Sequence, residues 1–280
     1  MVTMTYSGTG SAPVMPSEPL PPVGRAQRFG VFRTIVALVL REMSTTYGRS
    51  PGGYLWAILE PIGVVVMLSL AFSFLLRAPS LGTSFILFYA TGYLPLRMYT
   101  TISDRVAKAI RFSRPLLTYP KVTFMHAILA RLLLQGLTQI MVVYIVFSGI
   151  LFFADTRAML DFSAIGLAMV MAATLALGIG TMNCYLLNTV PIWDRLWGIL
   201  TGPLMLVSAV FYLLEDLPRQ AQQILWYNPI VHIVGVMRTG FYPNYHPTYV
   251  SLVYVFGIAL VLAAFGFLLL RRYHLDLLEK

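Results

Sequence analysis

Ionisable residues inside long apolar stretches are the first candidates for chemistry in this sequence. Glu60, which Pro61 follows, lies inside the first stretch, and Arg97 lies within the second. Charged side chains inside a membrane are costly unless they are paired, and they commonly mark the path of an ion or a substrate. An ion-coupled carrier or channel needs several such groups, whereas Glu60 can also be a hydrogen-bonded residue near the interface, and Arg97 can reach the interface along its stem. Ion-coupled transport is therefore the weaker interpretation.

The remaining polar residues form no catalytic or metal-binding pattern. The four histidines, His126, His232, His246 and His274, are scattered over both sides of the predicted spans, which disfavours a metal site. No serine–histidine pair has the context of a nucleophile, and no Gly-x-x-x-x-Gly-Lys-Ser/Thr loop is present to bind ATP phosphates. We therefore expect no catalytic residue, no metal and no cofactor on this chain, which is expected not to be an enzyme.

Six long apolar stretches fill most of the chain, in which 58% of the residues are hydrophobic and only 11% are charged. Each stretch is close to or longer than the ~20 residues that a helix needs to cross the core of a bilayer. This composition excludes a soluble domain and predicts an all-α membrane protein with six transmembrane helices. The predicted spans cover residues 54–76, 84–103, 132–153, 162–187, 196–214 and 249–270.

The distribution of Lys and Arg predicts the orientation of these spans. Most of the 20 basic residues precede the first span, separate the second from the third, or follow the last. Because cytoplasmic loops retain basic residues, both termini are predicted to lie in the cytosol. The net charge of +9 is thus mainly a topology signal, which also favours anionic membrane lipids. Its dispersal between spans disfavours nucleic acid as a partner.

The first 50 residues have two different patterns. Residues 1–24 are rich in proline and lack the basic start and apolar core of a signal peptide, so they are predicted to form a disordered cytosolic tail. Residues 25–50 place apolar side chains on one helical face and Arg33 and Arg41 on the other, which predicts an amphipathic helix at the membrane interface. The pattern alone favours equally a membrane anchor and a helix that also contacts a cytosolic partner.

Several short motifs occur along the chain: Arg41-Glu42, Tyr47-Gly48-Arg49, Gly53-Tyr54-Leu55-Trp56-Ala57, Leu59-Glu60-Pro61, Asp194-Arg195, Ser208-Ala209-Val210-Phe211-Tyr212, Asn228-Pro229-Ile230-Val231-His232 and Arg238. With these motifs, the chain from about Arg25 to the C-terminus resembles the permeases of type-2 ABC exporters. It is most similar to the inner-membrane permeases of Gram-negative capsular polysaccharide exporters, a group that also includes O-antigen and teichoic acid permeases. Where the chain enters the bilayer, the family motif includes Arg49, Tyr54, Trp56, Glu60 and Pro61.

This resemblance implies a six-span transporter domain over residues 51–280 that works as a homodimer in the bacterial inner membrane, with the polysaccharide path between the two copies. Two separate ATPase subunits, which hold ATP and Mg, would bind beneath. The surface helix and the loop over residues 104–121 would contact them, with residues 188–195 as a second contact. Pro115 and Pro120 are expected to limit the helix in that loop. The basic charge of the loop is also explained by the cytoplasmic retention of Lys and Arg alone, without any contact to an ATPase. The expected coupling residues are Arg33, Arg41, Arg105, Lys108, Arg111 and Arg114.

The segment over residues 215–248 would form re-entrant half-helices at the exit, although a loop lying on the membrane surface is the alternative. Aromatic residues cluster there and on spans two and five, where their rings could stack on sugar rings. For any single residue, the alternative is the belt of aromatic side chains that membrane proteins place at the lipid interface. The expected path residues are Tyr89, Tyr93, Phe211, Tyr212, Trp226, Tyr227, Phe241 and Tyr242. The substrate alternatives are O-antigen, teichoic acid, or more distantly lipids and drugs. Periplasmic and outer-membrane export proteins are expected further partners.

Overall fold

The computed structural model describes residues 30–46, 52–117, 122–154, 156 and 158–279. Within these ranges all regular secondary structure is helical, and a single 3-10 turn lies at Leu214–Asp216. The predicted tail over residues 1–24 lies outside the described part. The helices are α1 (Gly30–Thr46), α2 (Gly53–Leu75), α3 (Phe85–Ala107), α4 (Ala109–Leu117), α5 (Phe124–Phe153), α6 (Phe162–Thr189), α7 (Trp193–Thr201), α8 (Leu204–Val207), α9 (Arg219–Trp226), α10 (Pro229–Thr239) and α11 (Leu252–Glu279).

Four of the described helices are long and apolar enough to cross a membrane: Leu55–Leu75, Phe124–Phe153, Phe162–Thr189 and Leu252–Tyr273. The predicted class, an all-helical membrane protein, is confirmed. Helix α3 corresponds to the second predicted span, and its 23 residues would cover about 35 Å. It is less apolar than the four spans and is largely buried among them.

The prediction of one continuous helix over residues 196–214 is wrong. Helix α7 ends at Thr201, and α8 covers only Leu204–Val207. Pro203 lies between them, and because proline lacks a backbone N–H it cannot continue the hydrogen bonding of α7. Ala209 then takes a left-handed backbone conformation with φ of 57°, which ends the helical path before residue 214.

Helix α5 begins at Phe124 rather than at residue 132, the predicted start of the third span. The prediction avoided Arg131 because a charged residue is unfavourable in a membrane helix. In the structure Arg131 lies inside α5 and is only 3% exposed, since Glu42 of α1 pairs with it. A pairing between distant segments is not visible in the local hydropathy pattern.

The core of the fold is α6, which packs against α3, α10 and α11. The crossing of α6 and α11 is close because a glycine lies on each side. A Cβ atom on Gly178 would meet the Ala259 carbonyl, and one on Gly266 would lie 2.8 Å from the Met182 nitrogen. Small residues commonly allow such close helix crossings in membranes. This packing fixes the two ends of the bundle at which the candidate sites lie.

The two ends differ in chemistry. The basic end is where α3 ends and α5 begins, and α1 packs there beside α5. The distal end contains α9 and α10, and the Asp161 N–H before α6 donates to the Gly240 carbonyl after α10 at 2.9 Å. The site residues fall into three groups: one at each end and one on the outer surface of α2 and α3.

Candidate functional site

A buried ion pair attaches α1 to the bundle at the basic end. Arg131 Nε lies 3.0 Å from Glu42 Oε1, and the side chains are only 3% and 9% exposed. Burial raises the pKa of the Glu42 carboxyl, whereas the positive charges of Arg131 and Arg105 oppose that increase. Sequence reasoning quoted Glu42 only as part of a motif and assigned no role to Arg131. An arginine directly before the third predicted span was the signal that could have called for a partner.

The same guanidinium joins two further elements to this pair. Arg131 NH1 donates to the Arg105 carbonyl at the end of α3, at 2.7 Å. The Arg131 guanidinium also lies 4.3 Å from the centre of the Phe112 ring on α4, a cation–π contact. Four helices, α1, α3, α4 and α5, therefore meet at the Arg131 side chain. A displacement of α1 would move this side chain and alter its contact with α4.

The expected coupling residues lie around this junction. Arg33 is exposed on α1, and the Arg41 guanidinium lies 6.0 Å from the Phe112 ring. Lys108 occupies the turn between α3 and α4, where it pairs with Asp104 at 2.5 Å. The predicted basic face is therefore carried by two helices with a break at Lys108.

Helix α4 is tied to the connection between α6 and α7. Arg111 donates to the Leu187 carbonyl, and its NH1 atom lies 3.8 Å from an Asp194 carboxylate oxygen. Arg114 is exposed near the end of α4. The expectation that Pro115 limits this helix is wrong, because α4 continues to Leu117; Pro120 lies outside the described residues. The two segments expected to meet an ATPase are thus in contact with each other.

A second ion pair lies on the outer surface of α2 and α3. Arg97 NH2 donates to Glu60 Oε2 at 2.6 Å, and the side chains are 28% and 53% exposed in the single chain. Pro61 is accommodated inside α2 without ending it. Trp56, one helical turn before Glu60, is exposed. The motif residue Arg49 and the side chain of Tyr54 lie outside the described part.

At the distal end, a buried arginine holds the irregular segment after α8. Arg238 is fully buried and donates to the carbonyls of Ala209 at 2.8 Å and Tyr212 at 3.0 Å, with a longer contact to Val210 at 3.3 Å. Its guanidinium lies 4.4 Å from the centre of the Phe88 ring. One side chain therefore bonds three backbone carbonyls of the irregular segment, those of Ala209, Val210 and Tyr212.

The motif that begins at Asn228 also serves to position backbone. The Asn228 side chain accepts from the Ile230 N–H and donates to the Val207 carbonyl at 3.0 Å. His232 Nδ1 accepts the Ser251 N–H at 3.1 Å, and Nε2 donates to the Trp226 carbonyl at 2.8 Å. Burial lowers the pKa of the His232 imidazole, which favours this neutral form.

The expected path residues divide into buried and accessible rings. Tyr89, Tyr93, Phe241 and Tyr242 are buried and fill the core of this chain. In the accessible group, Tyr227 is exposed and Phe211, Tyr212 and Trp226 are half-buried. Phe211 of the accessible group contacts the buried group, since its ring centre lies 6.4 Å from that of Tyr89. It also lies 5.5 Å from the ring centre of Phe72 on α2. Whether any of these rings contacts a polymer stays a prediction.

A bundle of long apolar helices, four of them able to cross a membrane, defines a polytopic helical membrane protein. The chain belongs to the ABC-2 type transporter family, whose model matches residues 33–242. It is 32% identical to the polysialic acid transport protein KpsM of Escherichia coli over 239 residues, 85% of this chain and 92% of the relative.

Two further relatives have similar coverage. The capsule polysaccharide export inner-membrane protein CtrC of Neisseria meningitidis serogroup B is 32% identical over 248 residues, 86% of this chain and 91% of CtrC. The protein BexB of Haemophilus influenzae, with the same description, is 28% identical over 243 residues, again 86% and 91% of the two chains. The resemblance expected from the motifs is confirmed.

Proposed function

We propose that this chain is the permease subunit of an ATP-driven exporter that moves capsular polysaccharide across the bacterial inner membrane. The relatives named for capsule polysaccharide export, matched over most of both chains, support the substrate class. The structural observation that carries the proposal is the exposed ion pair between Glu60 and Arg97. It lies on the membrane-embedded part of the bundle, where a charged surface that faced lipid would be strongly unfavourable.

The ion pair gives the proposed path a location. Charged side chains inside membrane proteins face a water-filled cavity or another protein surface. Glu60 is the more exposed partner and belongs to α2. The surface of α2 and α3 around this pair therefore borders the polymer path in our proposal. The accessible rings of Phe211, Tyr212, Trp226 and Tyr227 would stack on sugar units along it, since aromatic rings offer a flat apolar face.

A second copy of this chain would complete the path. Helices α7 and α8 have no buried residue in the single chain, and the apolar side chains of Ile199, Leu200 and Leu206 are exposed. These helices have few contacts with the rest of the bundle. In the proposed homodimer the partner covers them.

The proposed topology has six spans: α2, α3, α5, α6, the broken α7–α8 segment, and α11, with both termini in the cytosol. In this topology residues 1–24 form a cytosolic tail, and helix α1, which follows the tail, lies at the membrane interface. Helices α9 and α10, of 8 and 11 residues, are too short to cross, because 11 residues cover about 17 Å. The side chains of Asn228 and Arg238 satisfy backbone groups beside them, which a re-entrant segment requires.

Energy for transport would come from two separate ATPase subunits, which bind ATP and Mg. They would dock at the basic end, against α1, α4 and the start of α7, where Arg33, Arg41, Arg105, Lys108, Arg111 and Arg114 lie. The junction at Arg131 supports this proposal because it connects α1 with α4 through direct contacts. Movement of the ATPases could then reach α3 and α5 through one rigid contact.

Reactivity of single cysteines tests the location of the path. Glu60→Cys, in a background with Cys184→Ser, should react with a charged thiol reagent because thiolate formation needs water. Leu137→Cys is the matched control, since Leu137 is also exposed but lies on apolar α5. Equal reactivity of the two cysteines would contradict a water-filled path beside Glu60.

A complementation experiment tests the substrate class. In the native bacterium without its own copy of this gene, the wild-type chain should restore capsular polysaccharide at the cell surface. Without it, polymer should accumulate inside the cell. Restoration of growth or ion gradients with no change in surface polymer would refute polysaccharide export.

A further inference from the structure

A cavity of about 300 Å³ opens at the distal end beside α9. This distal cavity is at the small end of the range for ligand pockets, which is about 300 to 1,000 Å³. Its size therefore suits a single sugar unit better than a larger ligand. The lining consists of Leu214, Arg219, Gln222, Gln223, Trp226 and Tyr249.

Part of the lining is held in place by hydrogen bonds to the backbone. Trp226 Nε1 donates to the Tyr249 carbonyl at 3.0 Å, which joins the two aromatic residues of the wall. The Gln222 amide donates to the Leu217 carbonyl at 2.7 Å, leaving its side-chain oxygen as an acceptor. Leu214 is buried. The aromatic wall is thus preorganised before any ligand arrives.

Two further lining groups have no partner within the described residues. The Arg219 guanidinium forms no ion pair or hydrogen bond with the described residues, and the same holds for the side-chain amide of Gln223. Both residues are exposed. A guanidinium presents a planar fork of donors that matches a carboxylate, and a primary amide both donates to and accepts from hydroxyls. Aromatic rings add flat apolar surface.

We infer that the distal cavity binds a carboxylated sugar unit. Arg219 receives the carboxylate, the amides of Gln222 and Gln223 bond the hydroxyls, and Trp226 with Tyr249 contacts the apolar side of the sugar ring. The inference rests on the proposed function, which supplies the sugar as part of the exported polymer. Each unit would bind weakly at this one-unit site, so a moving polymer could exchange one unit for the next.

Saturation-transfer NMR with two monosaccharides tests the inference. The complete complex with its ATPase is placed in phosphatidylcholine nanodiscs, which removes anionic lipid as a competitor for Arg219. The probes are D-glucuronate and D-glucose, which differ in the carboxylate. We expect saturation transfer to glucuronate, with glucose binding at least about tenfold more weakly, as the loss of a charged hydrogen bond implies.

Matched variants connect the signal to the cavity. Arg219→Gln should weaken glucuronate binding about tenfold, and Gln223→Ala should weaken the binding of both sugars. The controls are Arg77→Gln, an exposed arginine of another loop, and Gln220→Ala, a neighbour outside the lining; both should bind as the wild type does. All four positions are exposed, so folding is not at risk.

Absence of transfer to glucuronate, equal transfer to glucose, or unchanged binding in Arg219→Gln would each overturn the inference. Surface polysaccharide in the complemented bacterium distinguishes failure of this inference from failure of the proposed function. If wild-type protein restores the capsule while glucuronate fails to bind, only the distal cavity has been misassigned. If wild-type protein restores no capsule, the proposed function itself fails.

Discussion

Replacing Glu42 with Gln should loosen α1 from the bundle while the rest of the fold stays intact. The substitution keeps the size of the side chain but removes the charge that pairs with Arg131. Loss of one partner from a buried ion pair costs about 3–5 kcal/mol, because the other charge is left without compensation. Here Arg131 keeps its bond to the Arg105 carbonyl and its contact with Phe112. The cost should therefore be at the lower limit, about 3 kcal/mol.

A cost of about 3 kcal/mol corresponds to a change of about 100-fold in an equilibrium constant. If α1 opens and closes faster than its amides exchange, hydrogen exchange over Gly30–Thr46 should accelerate by about that factor. Hydrogen-exchange mass spectrometry of the complex in nanodiscs measures this rate directly. The α6 and α11 peptides provide an internal reference, since their packing does not involve Glu42.

The pair between Asp104 and Lys108 is a matched control. Its 2.5 Å distance is shorter than that of the buried pair, but its side chains are about half exposed. An exposed pair of this spacing contributes only about 0.3–0.5 kcal/mol. Asp104→Asn should therefore leave exchange in α1 unchanged. If Glu42→Gln leaves α1 protected, or if Asp104→Asn accelerates its exchange equally, the pair of Glu42 and Arg131 does not attach α1 to the bundle.

Three further predictions follow from the packing and the charge distribution. Arg238→Lys should lower stability by about 2 kcal/mol or more, because one ammonium cannot replace the planar donors that bond several carbonyls; an unchanged melting temperature would contradict this. Gly178→Val should lower the melting temperature, since overpacking costs about 1–3 kcal/mol, whereas Gly149→Val, with open space around it, should not. In a cysteine-free chain, Arg219→Cys should react with an impermeant thiol reagent in intact spheroplasts and Lys108→Cys should not; the opposite pattern would invert the topology.

The helical class and most helix positions could be predicted from the sequence because hydropathy is a local property. The start of α5 could not be predicted from the sequence, because Arg131 is tolerated inside the helix only through its contact with Glu42, a residue far away in the chain. The break after α7 was missed because residues 196–214 are apolar throughout. Pro203 was the signal that could have found it.

The functional residues show the same division. The motif that contains Glu60 was recognised, but the role of Arg97 as its partner depended on the packing of α2 against α3. His232 and Arg238 were matched to the family pattern, and the structure shows that both bond backbone groups. The distal cavity was not predicted beyond Trp226, since its polar lining includes residues whose types are ordinary for a surface helix.

Photo-crosslinking during export tests most directly whether polymer passes beside the pair of Glu60 and Arg97. A photoreactive phenylalanine analogue replaces Trp56, which is 63% exposed one helical turn before Glu60, or Tyr144, which is 72% exposed on α5. Both substitutions exchange one exposed aromatic ring for another. Illumination of exporting cells should attach capsular polysaccharide to the permease at position 56 and not at position 144. Attachment at 144, or equal attachment at both positions, would contradict the proposed path.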